Sequence, residues 1–217
     1  MTLPVVEDPL PVVELVETMA RLRRECPWKA EQTHRSLSRY LLEETHETLE
    51  AIDSGDRTGS WDDLREELGD LLLQVYFHAA IAAESGRFDI EDVAADLIAK
   101  LHRRNPHVFG DAEGETGGRP LEPHEVNEEW QRIKAAEKQR ASVTDGLPPT
   151  LPALLRADKV VDRLERAGTP VVAPGDDLGS RLLALVVEAH DRGVDPEQAL
   201  RDAVRRVTGD LPTSDAG

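Results

Sequence analysis

The chain predicts an all-α fold, and three observations carry that expectation. Apolar residues recur at helical spacing in every long segment, while Pro and Gly fall mainly at the breaks between them. Charged residues make up 32% of the 217 positions and aromatics only 4%. Ala, Leu, Glu and Arg are abundant, a composition that favours helices over sheets. The length holds one good-sized domain, or a domain and a smaller appendage.

Residues 1–11 carry Pro4, Pro9 and Pro11 and read as an extended arm. Val12, Leu15, Val16, Met19 and Leu22 then repeat at helical spacing up to a stop at Cys26-Pro27. Thr33 or Ser36 is placed to cap a second helix, which should end in the polar run Asp53-Ser54-Gly55-Asp56. A third begins near Trp61 and runs to Glu84; from Leu71 to Ala83 it is apolar nearly all round, so it needs cover. Asp89 should cap a fourth helix from Ile90 to Arg104, closed by Asn105-Pro106. The Gly-, Pro- and acid-rich stretch from Gly110 to Pro123 reads as a mobile loop, and His124 to Ala141 as another helix. These segments define a domain over 12–141, a linker over 142–152, and a shorter helical region over 153–217 with a frayed end.

Carboxylates interrupt the apolar pattern where a reason is required. On a wheel of about 100° per residue, Glu44 falls amid Leu37, Tyr40, Leu41, Thr48 and Ala51, with Glu47 at the edge. Glu67 likewise falls amid Leu64, Leu71, Gln74 and His78, with Asp70 at the flank. Two i, i+3 acidic pairs thus occupy faces expected to be buried, where unpaired charges are heavily penalised. A divalent cation resolves the conflict. Mg²⁺, with Mn²⁺ as a possible substitute, prefers such hard oxygen donors together with waters and phosphate oxygens. Glu44, Glu47, Glu67 and Asp70 are therefore the candidate ligands, and two antiparallel helices can bring them together. Glu43 and Glu66 lie off the shared face, placed to orient ligands or accept a proton from water.

Other chemistries fit less well. Glu43 and His46 form a Glu-x-x-His pair of the kind used in di-iron bundles, but no second such pair exists and His46 lies nearly opposite Glu44. Cys26 and His34 lack a zinc spacing, and no phosphate-cradling Gly loop is present. His78 reads as a hydrogen-bonded core residue. The cluster Lys100, His102, Arg103 and Arg104 suits a helix C-terminus, and equally suits the remaining charge of a polyphosphate. Trp130 is placed either for a core or for stacking on a base.

A net charge of −17 argues against a nucleic acid polymer as partner. A single cysteine rules out an intramolecular disulfide and fits a reducing compartment, and no apolar run of about 18 residues is present. A cytoplasmic protein without a membrane partner is expected. An internal echo also appears: Asp176-Asp177-Leu178-Gly179-Ser180 repeats Glu66-Glu67-Leu68-Gly69-Asp70, with Ser180 in place of the second acid.

The ordered set Cys26-Pro27-Trp28, Gln32-Thr33-His34, Glu43-Glu44-x-x-Glu47, Glu66-Glu67-Leu68-Gly69-Asp70, Arg103-Arg104-Asn105-Pro106-His107-Val108-Phe109, and Trp130 with Lys134 resembles the MazG family of nucleoside triphosphate pyrophosphohydrolases. The resemblance runs from about Leu15 to Lys138. It implies a helical bundle with a four-helix core completed in a homodimer, and Mg²⁺-dependent hydrolysis of nucleoside triphosphates to monophosphate and pyrophosphate in nucleotide house-cleaning. It further implies Glu44, Glu47, Glu67 and Asp70 as ligands, and Lys100, Arg104, Trp130 and Lys134, beside Arg103, as nucleotide contacts. Lys29 departs from the Asp that commonly follows the Cys-Pro-Trp turn. The resemblance also suggests that 153–217 is a shortened, degenerate second copy. Two alternatives stay open: a narrower deoxynucleotide pyrophosphatase acting on dUTP or dCTP, and a non-catalytic nucleotide-sensing bundle.

Overall fold

The computed structural model describes residues 10–110, 122–137, 142–172 and 175–209, and among these residues there are ten helices and no strand. In chain order they are α1 (Pro11–Glu25), α2 (Pro27–Glu31), α3 (His34–Thr58), α4 (Asp62–Glu84), α5 (Ile90–Arg104), α6 (Pro106–Phe109), α7 (Pro123–Glu137), α8 (Ala153–Arg166), α9 (Leu178–Asp191) and α10 (Pro196–Gly209). The expected all-α class is what the chain adopts. No helix among the described residues is long and apolar enough to cross a membrane. The backbone separates into two compact units, Met1–Ile133 and Lys134–Gly217. The division falls inside α7, and the segment 142–152, expected as a linker, groups with the second unit.

Most of the expected arm, and most of the stretch from Gly110 to Pro123 expected as a loop, lie outside the described residues. Pro11 already opens α1, where its missing N–H costs nothing. Cys26-Pro27 ends α1 as expected, but Pro27 also starts the short α2. Thr33 then caps α3: its hydroxyl accepts from the Ser36 N–H at 3.1 Å, and Ser36 Oγ accepts from the Thr33 N–H at 2.9 Å.

The expected end of this helix at Asp53 to Asp56 is corrected. α3 continues to Thr58 and stops at Gly59, whose φ of 77° suits glycine alone. Gly55 lies inside the helix because the Trp61 ring packs against it; a Cβ there would stand 2.4 Å from a ring carbon. Polar composition suggested a turn, while a close approach explains the glycine. α4 then returns along α3, and Asp89 caps α5 through the Asp92 N–H at 3.0 Å, as expected.

Met19 of α1, Leu37 of α3 and Phe77 of α4 form the buried centre of the first unit, flanked by Tyr40, Leu73, Tyr76, Ala80 and Ile81. Arg23 fastens this centre. Its Nε and Nη2 each donate to the Glu84 carboxylate at 2.6 Å, and Nη1 donates to the carbonyls of Lys29 and Gln32. One guanidinium thus joins α1, α2 and the end of α4. α4 is less covered than an apolar girdle should be: Leu68, Leu72 and Val75, at i, i+4 and i+7, are exposed.

In the second unit, Val161 of α8 and Val186 of α9 are fully buried. Arg163 Nη1 donates to the Val143 and Asp145 carbonyls at 2.6 and 2.9 Å, holding the preceding turn against α8. His190 of α9 bridges to α8, with ring nitrogens 2.8 Å from Asp158 and 3.1 Å from Glu165.

Candidate metal centre

The α3–α4 hairpin places Glu44 opposite Glu67 and Asp70. One carboxylate oxygen from each lies within 4.8 Å of the others, and all three residues are half-buried. Glu47, one turn beyond Glu44, is exposed. The expectation of a buried acidic face is therefore corrected: the face is half-buried and reaches solvent at Glu47. Periodicity identified the face, but whether a face is sealed depends on what covers it.

Glu44 and Glu67 resist ionisation. The Glu44 carboxyl is held above its ordinary range first by burial, then by the charges of Asp70 and Glu47, the hydrogen bond to Glu47, and the charge of Glu67. Glu67 is raised first by desolvation, then by Glu47, Asp70, Glu66 and Asp63. Glu47 therefore belongs electrostatically to the group. Among the described residues no Lys or Arg forms an ion pair with Glu44, Glu47, Glu67 or Asp70.

The flanking acids lie elsewhere on their helices. Glu43 is exposed and pairs with Arg39 at 3.3 Å, and Glu66 is exposed beside Glu67. At the end of α5, Lys100 and Arg103 are exposed and Arg104 is half-buried, its guanidinium 5.2 Å above the Trp130 ring. That stacking joins two residues the sequence named separately. Lys134 lies one turn beyond Trp130, half-buried, on the second-unit side of the division within α7. His78 Nδ1 stands 2.8 Å from His34 Nδ1 with the rings stacked, so one ring donates and the other accepts. Sequence reading noted each histidine but not the pair, which depends on the α3–α4 register. It also missed Arg23 and Glu84, which are 61 positions apart.

The donor set fits a hard divalent cation. Mg²⁺ takes oxygens at about 2.0–2.1 Å, so donors across one ion stand about 4 Å apart. The three oxygens, within 4.8 Å of one another, lie close to that separation. Carboxyls raised by burial and then by one another's charge are groups a cation would relieve.

Comparison with known proteins identifies the family. Residues 32–109, which span α3, α4 and α5, match the family described as MazG nucleotide pyrophosphohydrolase domain. An uncharacterized 26.1 kDa protein from Streptomyces cacaoi is 45% identical over 91% of this chain and 83% of its own length. A protein from Thermotoga maritima named nucleoside triphosphate pyrophosphohydrolase/pyrophosphatase MazG is 37% identical over 89% of this chain and 81% of its own. A nucleoside triphosphate pyrophosphohydrolase from Mycobacterium tuberculosis is 44% identical over 89% of this chain, which spans only 54% of that relative. With the acidic hairpin inside the matched segment and a relative of this similarity covered over most of its length, the chain belongs to the MazG family.

Proposed function

We propose that the first unit hydrolyses nucleoside triphosphates to a nucleoside monophosphate and pyrophosphate, as a soluble cytoplasmic enzyme that clears nucleotide pools. The convergence of Glu44, Glu67 and Asp70 within 4.8 Å carries this reading. Those three residues, with Glu47 beside them, would hold Mg²⁺, or Mn²⁺ in its place. When bound, such an ion supplies charge neutralisation for phosphate oxygens and lowers the pKa of water.

The chain's own residues supply the rest. Lys100, Arg103 and Arg104 meet the negative charge of the polyphosphate, Trp130 offers a face to the base, and Lys134 adds a further cation. In the reaction a water oxygen bonds to phosphorus, the phosphoanhydride bond breaks, and pyrophosphate leaves. Glu43 accepts the water proton, and Glu66 orients the neighbouring carboxylate of Glu67. The exposed Glu43–Arg39 pair is weak enough to open for this role. The exposed stripe of Leu68, Leu72 and Val75 supports a homodimer that covers α4.

The test is a panel of ribo- and deoxynucleoside triphosphates with product identification. Pyrophosphate release is expected. Orthophosphate release would sink the reaction assignment, activity confined to dUTP or dCTP would favour the narrower enzyme, and binding without turnover would favour a sensor.

A further inference from the structure

Toward α3, helix α4 carries three polar side chains one turn apart: Asp70, Gln74 and His78. α3 crosses both ends of this line, through Glu44 at the acidic cluster and through His34 at the imidazole pair. Gln74 sits midway and is only 4% exposed. Its Oε1 is buried without a hydrogen-bond partner, and so is Nε2 of His78 one turn further on.

A buried acceptor left unpaired is costly, and natural folds keep few of them without a functional reason. An apolar residue of the same shape would fill this position at lower cost. The position is also set by the site: Gln74 lies about 6 Å along the helix axis from Asp70. A nucleotide with its phosphates at the acidic cluster would have its sugar within about one helical turn of them. Toward the α4 N-terminus that turn offers Asp63 and Glu66, which would repel a polyphosphate ester; toward the C-terminus it offers Gln74. An orphan carboxamide oxygen calls for a donor, and sugar hydroxyls are donors.

Building on the pyrophosphohydrolase reading, we propose that Gln74 is the residue that reads the sugar of the nucleotide, its carboxamide turning out of the helix interface to accept a hydrogen bond from a ribose hydroxyl. Gln74 is thus a specificity residue and takes no proton.

The experiment compares kcat/KM for one base as the ribonucleotide, the 2′-deoxynucleotide and the 2′,3′-dideoxynucleotide, in wild type and in Gln74→Met, a substitution of matched length. Wild type should prefer the substrate carrying the recognised hydroxyl by about tenfold, the worth of one neutral hydrogen bond. The step at which preference falls identifies the 2′ or the 3′ position. Gln74→Met should flatten the series by lowering only the preferred substrate, and should raise Tm because the orphan acceptor is gone. Gln74→Leu repeats the measurement should the Met variant fold poorly. A series unchanged by these variants, or lowered equally for all three sugars, overturns the proposal, as does a fall in Tm with specificity intact. Absence of turnover in wild type would instead strike the pyrophosphohydrolase reading.

Discussion

The start of α9 echoes a short stretch of α4, but the acids of the two stretches sit in opposite electrostatic surroundings. In the first unit Glu67 and Asp70 lie inside α4, face Glu44, and are held above their ordinary ionisation range or press on neighbours that are. In the second unit the corresponding Asp177 stands at the helix start. Its carboxylate accepts from the Gly179 and Ser180 N–H groups and from Ser180 Oγ, and its pKa falls, chiefly through the Ser180 hydroxyl. Asp158 and Glu165 are likewise answered by His190. Asp177, Asp158 and Glu165 thus find partners within the second unit, whereas among the described residues no Lys or Arg pairs with Glu44, Glu67 or Asp70. What the repeat does keep is apolar: Leu68, Leu72 and Val75 are matched by Leu178, Leu182 and Leu185, all exposed.

The largest expected effect breaks the comparison at its acids. Glu67→Ala should lower turnover on the order of 10²-fold or more, as loss of a group that organises charge at the reacting phosphate does. Asp177→Ala should leave turnover unchanged and lower Tm slightly through loss of the cap. Titration of each variant with Mg²⁺, followed by calorimetry, provides a second readout: Mg²⁺ should raise the Tm of wild type and Asp177→Ala but not of Glu67→Ala. Equal losses of activity in both variants would mean that the two units are not functionally distinct.

Next in size is the arginine that fastens each unit. Arg23 binds two carbonyls and Glu84, whereas Arg163 binds the Val143 and Asp145 carbonyls. Arg23→Ala should cost about 2 kcal/mol, because hydrogen bonds from a charged donor to poorly solvated carbonyls are lost together. Trp28, Trp61 and Trp130, the only tryptophans, all lie in the first unit, so their fluorescence reports that unit alone. Denaturant midpoints by fluorescence should fall for Arg23→Ala and stay in place for Arg163→Ala. Coincident shifts in both variants would show that the units unfold as one.

The contrast between the units also marks what the chain's residues reveal unaided. Thr33, Asp89 and Cys26-Pro27 act locally, so their roles were legible, and the acidic pairs were legible because a 3.6-residue period places them on one face. Gly55 misled because its reason is the Trp61 ring, a contact made only once the hairpin closes. Arg23–Glu84 and His34–His78 are pairings across helices, and no local pattern announces their register. Asp177 resembled a lost ligand by its neighbours, but the start of α9 at Leu178 makes it a cap. Helix boundaries thus decided a residue's chemistry as much as its identity did.

The smallest expected effect sharpens the comparison by pH. The His78 pKa is lowered, first by burial and then by His34, so the folded first unit resists a proton that the unfolded chain accepts. Its contribution is complete above the unfolded value near 6.5 and is lost as pH falls from there toward the lowered folded value. The His190 pKa is raised, first by its hydrogen bond to Asp158, against burial, with further help from the charges of Asp158, Glu165 and Asp162. That contribution is complete below about 6.5 and is lost as pH rises through the raised folded value. Mild acid should therefore weaken the first unit through His78, and mild alkali the second through His190. Both histidines retain some exposure, so shifts of a few degrees in Tm are expected rather than unfolding. Comparing His78→Gln and His190→Gln with wild type isolates each contribution from that of the carboxylates. The alkaline fall seen by circular dichroism should flatten only in His190→Gln, and the fall in tryptophan midpoint just below pH 6.5 only in His78→Gln. If His190→Gln flattened the tryptophan signal instead, the charge environments of the two units would not be independent.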